Sequence, residues 1–419
     1  MATGRRIWGA SERLRIIVLG YMVRGPMGGM VTSNLQYLLG LSRLGHDVYF
    51  LEDSDDYESC YNPVTMEMGT DPSYGLAFAG RALDQVGLAD KWAYWDAHRS
   101  RWLGPATDHI AEVCSTAELL LNLCGVNPLR PWLRKVPARI LVDEDPAFTQ
   151  IKHLTDPVAR EQALQHTAFF SFGENIGTGQ VAQVGSDELR VMSDTCLVPD
   201  DGLPWQSTRQ PVVLEAWPVT PGPRDGKFRT LMQWDSYPAM QFQGVRYGLK
   251  CDSFGPYMDL PCSTGDIFEL AIARLPWQVR QRLQDKGWSF ADPSEPSLDP
   301  VSYQQFLQAS KAEFSVAKAG YVVSRSGWFS ERSACYLASG RPVVLQETGF
   351  SDWLPTGAGI FSFDAPAAAV VAVEEVNRRY EFHCRAARQV AEEFFDARQV
   401  LPRMLDSALN KGSGPGGSQ

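Results

Sequence analysis

Residues 321–349 read YVVSRSGWFSERSACYLASGRPVVLQETG. The pattern is a strand end, a Ser/Gly turn, a short helix, a Gly stop, an apolar strand and a polar tip. A turn that opens a helix with Gly and Ser leaves backbone N–H groups free at the positive end of the helix dipole, a ready-made seat for phosphate. Ser326, Gly327, Trp328, Phe329 and Ser330 form that turn, with Arg325 and Arg332 flanking it and Glu331 at the same helix end. Ser330 suits a second role equally, as the N-cap of a helix whose first turn is 331–333. The strand at 342–345 then delivers Gln346, Glu347, Thr348 and Gly349 to the same side of a parallel sheet. A Gln beside a Glu can exchange hydrogen bonds with sugar hydroxyls or form an ordinary polar strand tip. The layout suits a ligand with a phosphate at one end and hydroxyls at the other, such as a nucleotide sugar.

Working outward, residues 314–318 (FSVAK) read as the strand before this segment, and Lys318 at its end either meets a phosphate or stays solvated. Residues 228–232 read as another strand, with Trp234 at its tip either stacking on a ligand or packing in a core. Tyr303, Phe306, Leu307, Ser310 and Phe314 share one helical face, and residues 359–363 form a last strand. Phe382, Ala386, Val390 and Phe394 recur every four residues, an amphipathic helix.

The N-terminal half repeats the logic. Residues 15–20 (RIIVLG) form a buried-strand run, followed by a Gly-rich turn at 25–29, a helix with Val31, Leu35, Leu38 and Leu39 on one face, and a strand at 47–52. This is the opening of a doubly wound α/β domain. Further strand candidates lie at 118–123, 139–143 and 169–172, each ending in a polar or Gly-containing tip. Ligands of open parallel sheets bind beyond those ends. The turn Gly25-Pro26-Met27-Gly28-Gly29 lacks the dinucleotide-binding spacing. Gly28 and Gly29 permit close approach of a donor phosphate, or make a tight strand-to-helix turn. Asp53, Asp143, Asp145 and Glu174 stand at strand tips, where a carboxylate can accept a hydroxyl proton, and Asp145 and Glu174 lead as catalytic candidates. His46 reads as scaffold, and no Ser-His-Asp, H-E-x-x-H or other metal-binding spacing occurs.

At 419 residues the chain holds two domains. The division places an N-terminal Rossmann-like domain at 1–217, a Pro/Gly-rich linker at 218–226, a second Rossmann-like domain at 227–378, C-terminal helices at 379–410 and a low-complexity, disordered tail at 411–419. With 44% hydrophobic and 21% charged residues the composition is globular, and the formal net charge of −10 argues against nucleic acid or an anionic membrane as partner. Eight dispersed cysteines without a C-x-x-C pair point to free thiols in a reducing cytoplasm. No run approaches membrane-spanning length, and the N-terminus shows no apolar signal core.

The segment SRSGWFSERSACYLASGRPVVLQETGF resembles the donor-binding region of group-1 type glycosyltransferases of the GT-B superfamily. FRTLMQWDS, YGLKCDSF, LVDEDPAF and FSFGENIG extend the resemblance, to a group of bacterial glycosyltransferase-like sequences, over most of the chain. It implies an α/β fold of two facing Rossmann-like domains with a C-terminal helix crossing back, for which the 382–394 helix is the candidate. It also implies metal-independent hexosyl or deoxyhexosyl transfer, with a nucleoside-diphosphate sugar, UDP- or dTDP-linked, as co-substrate bound in the second domain. The acceptor would lie in the first domain. Many relatives carry two Glu seven residues apart around the short helix; here the second falls on Cys335. Others use a His in the first Gly-rich loop, and residues 21–34 contain none. A GT-B epimerase, a phosphorylase or a non-catalytic binding protein is the alternative on the same architecture.

Overall fold

The computed structural model describes residues 13–176 and 196–410. The tail at 411–419 lies outside the described residues.

The apolar runs of the first half become a single sheet. Its strands are β1 (Arg15–Leu19), β2 (Asp47–Asp53), β3 (Trp92–Asp96), β4 (Arg101–Leu103), β5 (Leu119–Leu123), β6 (Ala138–Asp143), β7 (Ala168–Ser171) and β8 (Gln206–Ser207). Their order is β8-β7-β6-β5-β1-β2-β3-β4, and only the β3–β4 pair is antiparallel. Continuous apolar strands suit a parallel sheet covered on both faces. Accordingly Ile16 and Val18 of β1 join one core, and Ile17 and Leu19 the other.

The second sheet contains β9 (Phe228–Gln233), β10 (Phe268–Ala273), β11 (Ser289–Phe290), β12 (Ala312–Ser315), β13 (Val343–Gln346) and β14 (Ile360–Phe363). All its pairs are parallel, in the order β11-β10-β9-β12-β13-β14. Three strands run outward from β1 in the first sheet and two from β9 in the second, and in each the chain then crosses back to the other side of the starting strand. The order reverses between β1 and β5, and again between β9 and β12; ligand crevices of doubly wound sheets open at such reversals.

The helices that frame the crevices are α1 (Gly28–Arg43), α2 (Pro300–Gln308), α3 (Ala319–Ser324), α4 (Glu331–Ala338), α5 (Tyr380–Phe394) and α6 (Ala397–Asn410). Three sequence expectations change. The β-branched pair Val322-Val323 reads as a strand end, yet β12 stops at Ser315 and these residues form α3. Phe314 lies in β12 rather than ending a three-turn helix, because α2 stops at Gln308. The helix that crosses back is α6 and not the 382–394 helix, which is α5. The inner face of α5, with Ala387, Val390 and Ala391, packs beside α4 in the second domain. Ala397, Leu401, Met404 and Leu405 of α6 instead enter the core of the first domain. The switch occurs at Asp396, where Val212 N–H donates to Phe395 O (2.7 Å) and Ala397 N–H to Val212 O (2.9 Å).

Residues 218–226 contain no helix or strand. The buried Arg341 guanidinium holds this stretch by donating to Thr220 O (2.9 Å) and Thr220 Oγ1 (2.7 Å). No helix among the described residues is long and apolar enough to cross a membrane, and all eight cysteines are free.

Leu401 is fully buried on the crossing helix. Leu401→Ala is expected to cost ~2–5 kcal/mol of unfolding free energy. Urea denaturation checks this, and a loss below ~1 kcal/mol would contradict the seating of α6 in the first core.

Candidate functional site

The two crevices are built alike and filled differently. In the first domain the loop after β1 turns three N–H groups inward. Met22 and Val23 donate to Glu52 Oε2 at 2.7 Å each, and Arg24 donates to Glu52 Oε1 at 2.8 Å. Glu52, at the end of β2, is 1% exposed and also meets the buried Arg24 guanidinium at 3.3 Å. The protein's own carboxylate therefore occupies the anion seat of the first Gly-rich loop. Gly28 and Gly29 serve another purpose. A Cβ on Gly28 would lie 2.4 Å from the Asp299 carbonyl, and one on Gly29 would lie 2.9 Å from the Tyr303 ring. Both glycines let α1 approach the second domain at the start of α2, so they are corrected from phosphate contacts to domain packing.

In the second domain the equivalent groups are open. Ser330 caps α4, its Oγ accepting from Arg332 N at 3.2 Å. The N–H groups of Phe329, Ser330 and Glu331 have no partner among the described residues. The loop leading to them is held in shape by Gly327, whose φ is +79°, whose N–H donates to Thr348 O (2.8 Å) and whose carbonyl accepts from Trp353 Nε1 (2.9 Å). Trp328 stacks on Tyr321 with ring centroids 4.3 Å apart. Ser326 is fully buried with an unpartnered hydroxyl among the described residues.

The cations divide unequally. Arg332 is buried against Glu313 (2.7 Å) and Ser315 (3.0 Å), with its guanidinium lining the recess beside Ser330. Arg325 turns to Asp352 at 3.3 Å, away from the free N–H groups. Lys318 is spent on Asp145 at 2.9 Å. Lys250, on the short helix Lys250–Ser253, has no ion pair or side-chain hydrogen bond among the described residues. Its pKa is pulled down to about 7, first by burial and then by Arg332 and Lys318. Glu313 and Glu331 act in the opposite direction, and the side chain keeps partial exposure.

The polar tip of β13 is mostly engaged internally. Gln346 Oε1 accepts from Ala317 N (3.1 Å), joining β13 to the loop after β12. Glu347 Oε1 accepts from Thr348 N (3.1 Å) and Gly349 N (2.6 Å), shaping the turn into residues 350–352. Thr348 Oγ1 donates to Trp328 O (2.5 Å). Gln346 and Thr348 thus line the recess, while Glu347 and Gly349 shape the turn that follows. Trp234 is 7% exposed and packs on Phe254 in the core, which removes it as a stacking platform.

The leading catalytic carboxylates are engaged too. Asp145 receives Lys318, Tyr237 and Tyr321 from the second domain. Glu174 pairs with Arg209. The Asp145 contacts fasten the domains, whereas the Glu174–Arg209 pair lies within the first; the neighbouring Asn175 adds Nδ2 bonds across to Arg325 O (3.0 Å) and Gly349 O (3.1 Å). Two residues that sequence reasoning passed over face the cleft. Lys250 has only its place in YGLKCDSF as a signal, and Glu144 sits inside the acidic run 143–145. Glu144 has no cationic partner among the described residues, and its carboxyl is pushed up to about 7, first by burial.

No protein-family model and no curated protein matches this chain. Solved structures do. A glycosyltransferase involved in avilamycin A biosynthesis, AviGT4, superposes with a TM-score of 0.52 at 11% identity over 96% of this chain and 99% of its own. HepE from Anabaena, solved with UDP and glucose, gives 0.53 at 10% identity over 94% and 99%. An alpha-glucosyltransferase solved with UDP and a 13-mer DNA gives 0.54 at 9% identity over 95% and 100%. Together with the two facing doubly wound sheets and the returning α6, this likeness establishes the GT-B fold.

Removing the Glu52 carboxylate leaves Arg24 buried without its partner. Glu52→Ala is expected to cost ~3–5 kcal/mol, read from the urea midpoint, and a near-neutral variant would contradict the self-filled crevice.

Proposed function

We propose that this protein is a glycosyltransferase that moves a sugar from a nucleoside-diphosphate sugar to a hydroxyl acceptor. The observation that carries this reading is the set of N–H groups at Phe329, Ser330 and Glu331 that, like the Lys250 ammonium, have no partner among the described residues, beside the chain reversal of the second sheet. In this reading the diphosphate sits on the start of α4, and the recess floored by Ser315, Val316 and Ala317 takes the nucleoside end. Bond breaking at the sugar leaves charge on the diphosphate, and fixed N–H dipoles with a nearby ammonium stabilise it without a metal.

UDP or dTDP is the carrier, and a hexose or deoxyhexose the sugar transferred. The neighbours solved with UDP support the first choice. One of them is solved with DNA, but a formal net charge of −10 favours a small molecule or glycan here. Eight free cysteines fit a reducing, cytoplasmic setting.

Calorimetry with UDP, dTDP, GDP and ADP tests the reading. Binding of UDP or dTDP is expected, and silence from all four would contradict it. A hydrogen bond to a charged group contributes ~1.5–3 kcal/mol, so Lys250→Ala should weaken binding ~10- to 150-fold.

The same titration carries a pH signature. With its pKa at about 7, Lys250 is mostly neutral at pH 8 in the free protein. A bound diphosphate restores its charge, so binding at pH 8 takes up protons, whereas at pH 6 the ammonium is already present. Heats in buffers of different ionisation enthalpy measure the uptake. Equal uptake by wild type and Lys250→Ala would remove Lys250 from the site.

A further inference from the structure

Opposite the open N–H groups of α4 stands the loop after β6. Trp328 of the phosphate loop donates its indole N–H to the Glu144 carbonyl (3.1 Å), which fixes this loop against the second domain. The Glu144 carboxylate accepts the thiol proton of Cys124 (3.0 Å), from the loop after β5. Tyr37 of α1 completes the group: its ring is 1% exposed, its hydroxyl has no partner among the described residues, and Glu144 and Cys124 are its titratable neighbours. Protein surrounds Glu144 closely, yet solvent still reaches it, as at the wall of a cleft.

Two non-glycine residues beside it adopt left-handed backbone, Cys124 (φ +55°) and Ala147 (φ +71°). Such outliers persist where the surroundings enforce them and gather at active sites. The other strand-tip carboxylates of the first domain are engaged. Asp53 pairs with Arg130, Asp145 with Lys318 and Glu174 with Arg209. Asp143 accepts from Thr149, Gln150 and Ser171.

We propose that Glu144 is the general base of the transfer, taking the proton of the acceptor hydroxyl, with the Tyr37 hydroxyl and the Cys124 thiol positioning the reacting groups. The inference rests on the glycosyl-transfer reading above. The acceptor oxygen forms a bond to the anomeric carbon while the bond from that carbon to the phosphate oxygen breaks. The electron pair of the broken bond stays on the diphosphate. The acceptor proton passes to the Glu144 carboxylate and from there to solvent.

The groups facing Glu144 set its titration. Burial raises its pKa, to about 7, and Glu331 across the cleft with Asp143 and Asp145 on its own loop act in the same direction. The Cys124 thiol bond opposes them. The base is therefore active above about pH 7 and silenced by protonation below it.

The test uses water as acceptor: UDP-glucose and dTDP-glucose are hydrolysed by the full-length protein, with release of UDP or dTDP followed from pH 5 to 9. Expected is an acid limb in kcat/KM near pH 7. Glu144→Gln should lower kcat ~10²- to 10⁴-fold and erase the limb, with UDP affinity within about twofold of wild type. Cys124→Ala should move the limb to higher pH. A Glu144→Gln variant with wild-type hydrolysis, or an unchanged limb, would overturn the assignment.

A second readout needs no turnover. Iodoacetamide labelling of Cys124 at pH 8, followed by peptide mass spectrometry, should run several-fold faster in Glu144→Gln, because the carboxylate no longer disfavours the thiolate. Unchanged labelling would also overturn the assignment. Failure of both sugar nucleotides and of UDP to bind would strike the glycosyl-transfer reading itself, whereas binding without dependence on Glu144 strikes only this inference.

Discussion

Backbone N–H groups at a strand-to-helix turn cannot stay buried and unpaired without cost, and the two halves of this chain meet that constraint in opposite ways. The first domain satisfies the constraint internally, with Glu52 receiving the N–H groups of Met22, Val23 and Arg24. The second leaves the N–H groups of Phe329, Ser330 and Glu331, and Lys250, without a partner among the described residues. Two sheets that are both doubly wound thus differ at their strand-to-helix turns. In one the Glu52 carboxylate fills the turn; in the other the turn is the proposed seat of the diphosphate.

The relation between the domains follows from contacts at the strand tips. Asp145 receives Lys318, Tyr237 and Tyr321, Asn175 reaches the carbonyls of Arg325 and Gly349, and Trp328 bonds the Glu144 carbonyl. On the far side Gly28 brings α1 against Asp299, and α6 returns to the first core. These links hold the 326–330 turn against the loop that carries Glu144. They also explain why so many polar residues at the tips are structural: each bond that orients a domain removes a group from chemistry.

The fold was legible because its strands are continuous apolar runs with polar ends. β5, LLLNL, is buried at every position, and such a run in a chain of alternating strands and helices has few other solutions. The short α3 was misread because the β-branched Val322-Val323 favours strand locally. Its helical form comes with a tertiary contact, as Gly320 packs against Phe148 of the other domain. The capping role of Ser330 could be read from its neighbours in sequence. The roles of Gln346 and Glu174 could not, since their partners Ala317 and Arg209 are 29 and 35 residues away. Lys250 and Glu144 escaped for the converse reason: among the described residues each lacks an ion-pair partner, and only the folded chain reveals such a lack.

The central claim is that the second domain's helix end, and not the first domain's Gly-rich loop, receives the diphosphate. A crystal structure of the protein with bound UDP tests it most directly. The account predicts phosphate oxygens within hydrogen-bond distance of the N–H groups of Ser330 and Glu331, with Lys250 Nζ turned toward them. A diphosphate seated on residues 20–28, displacing Glu52, would contradict it.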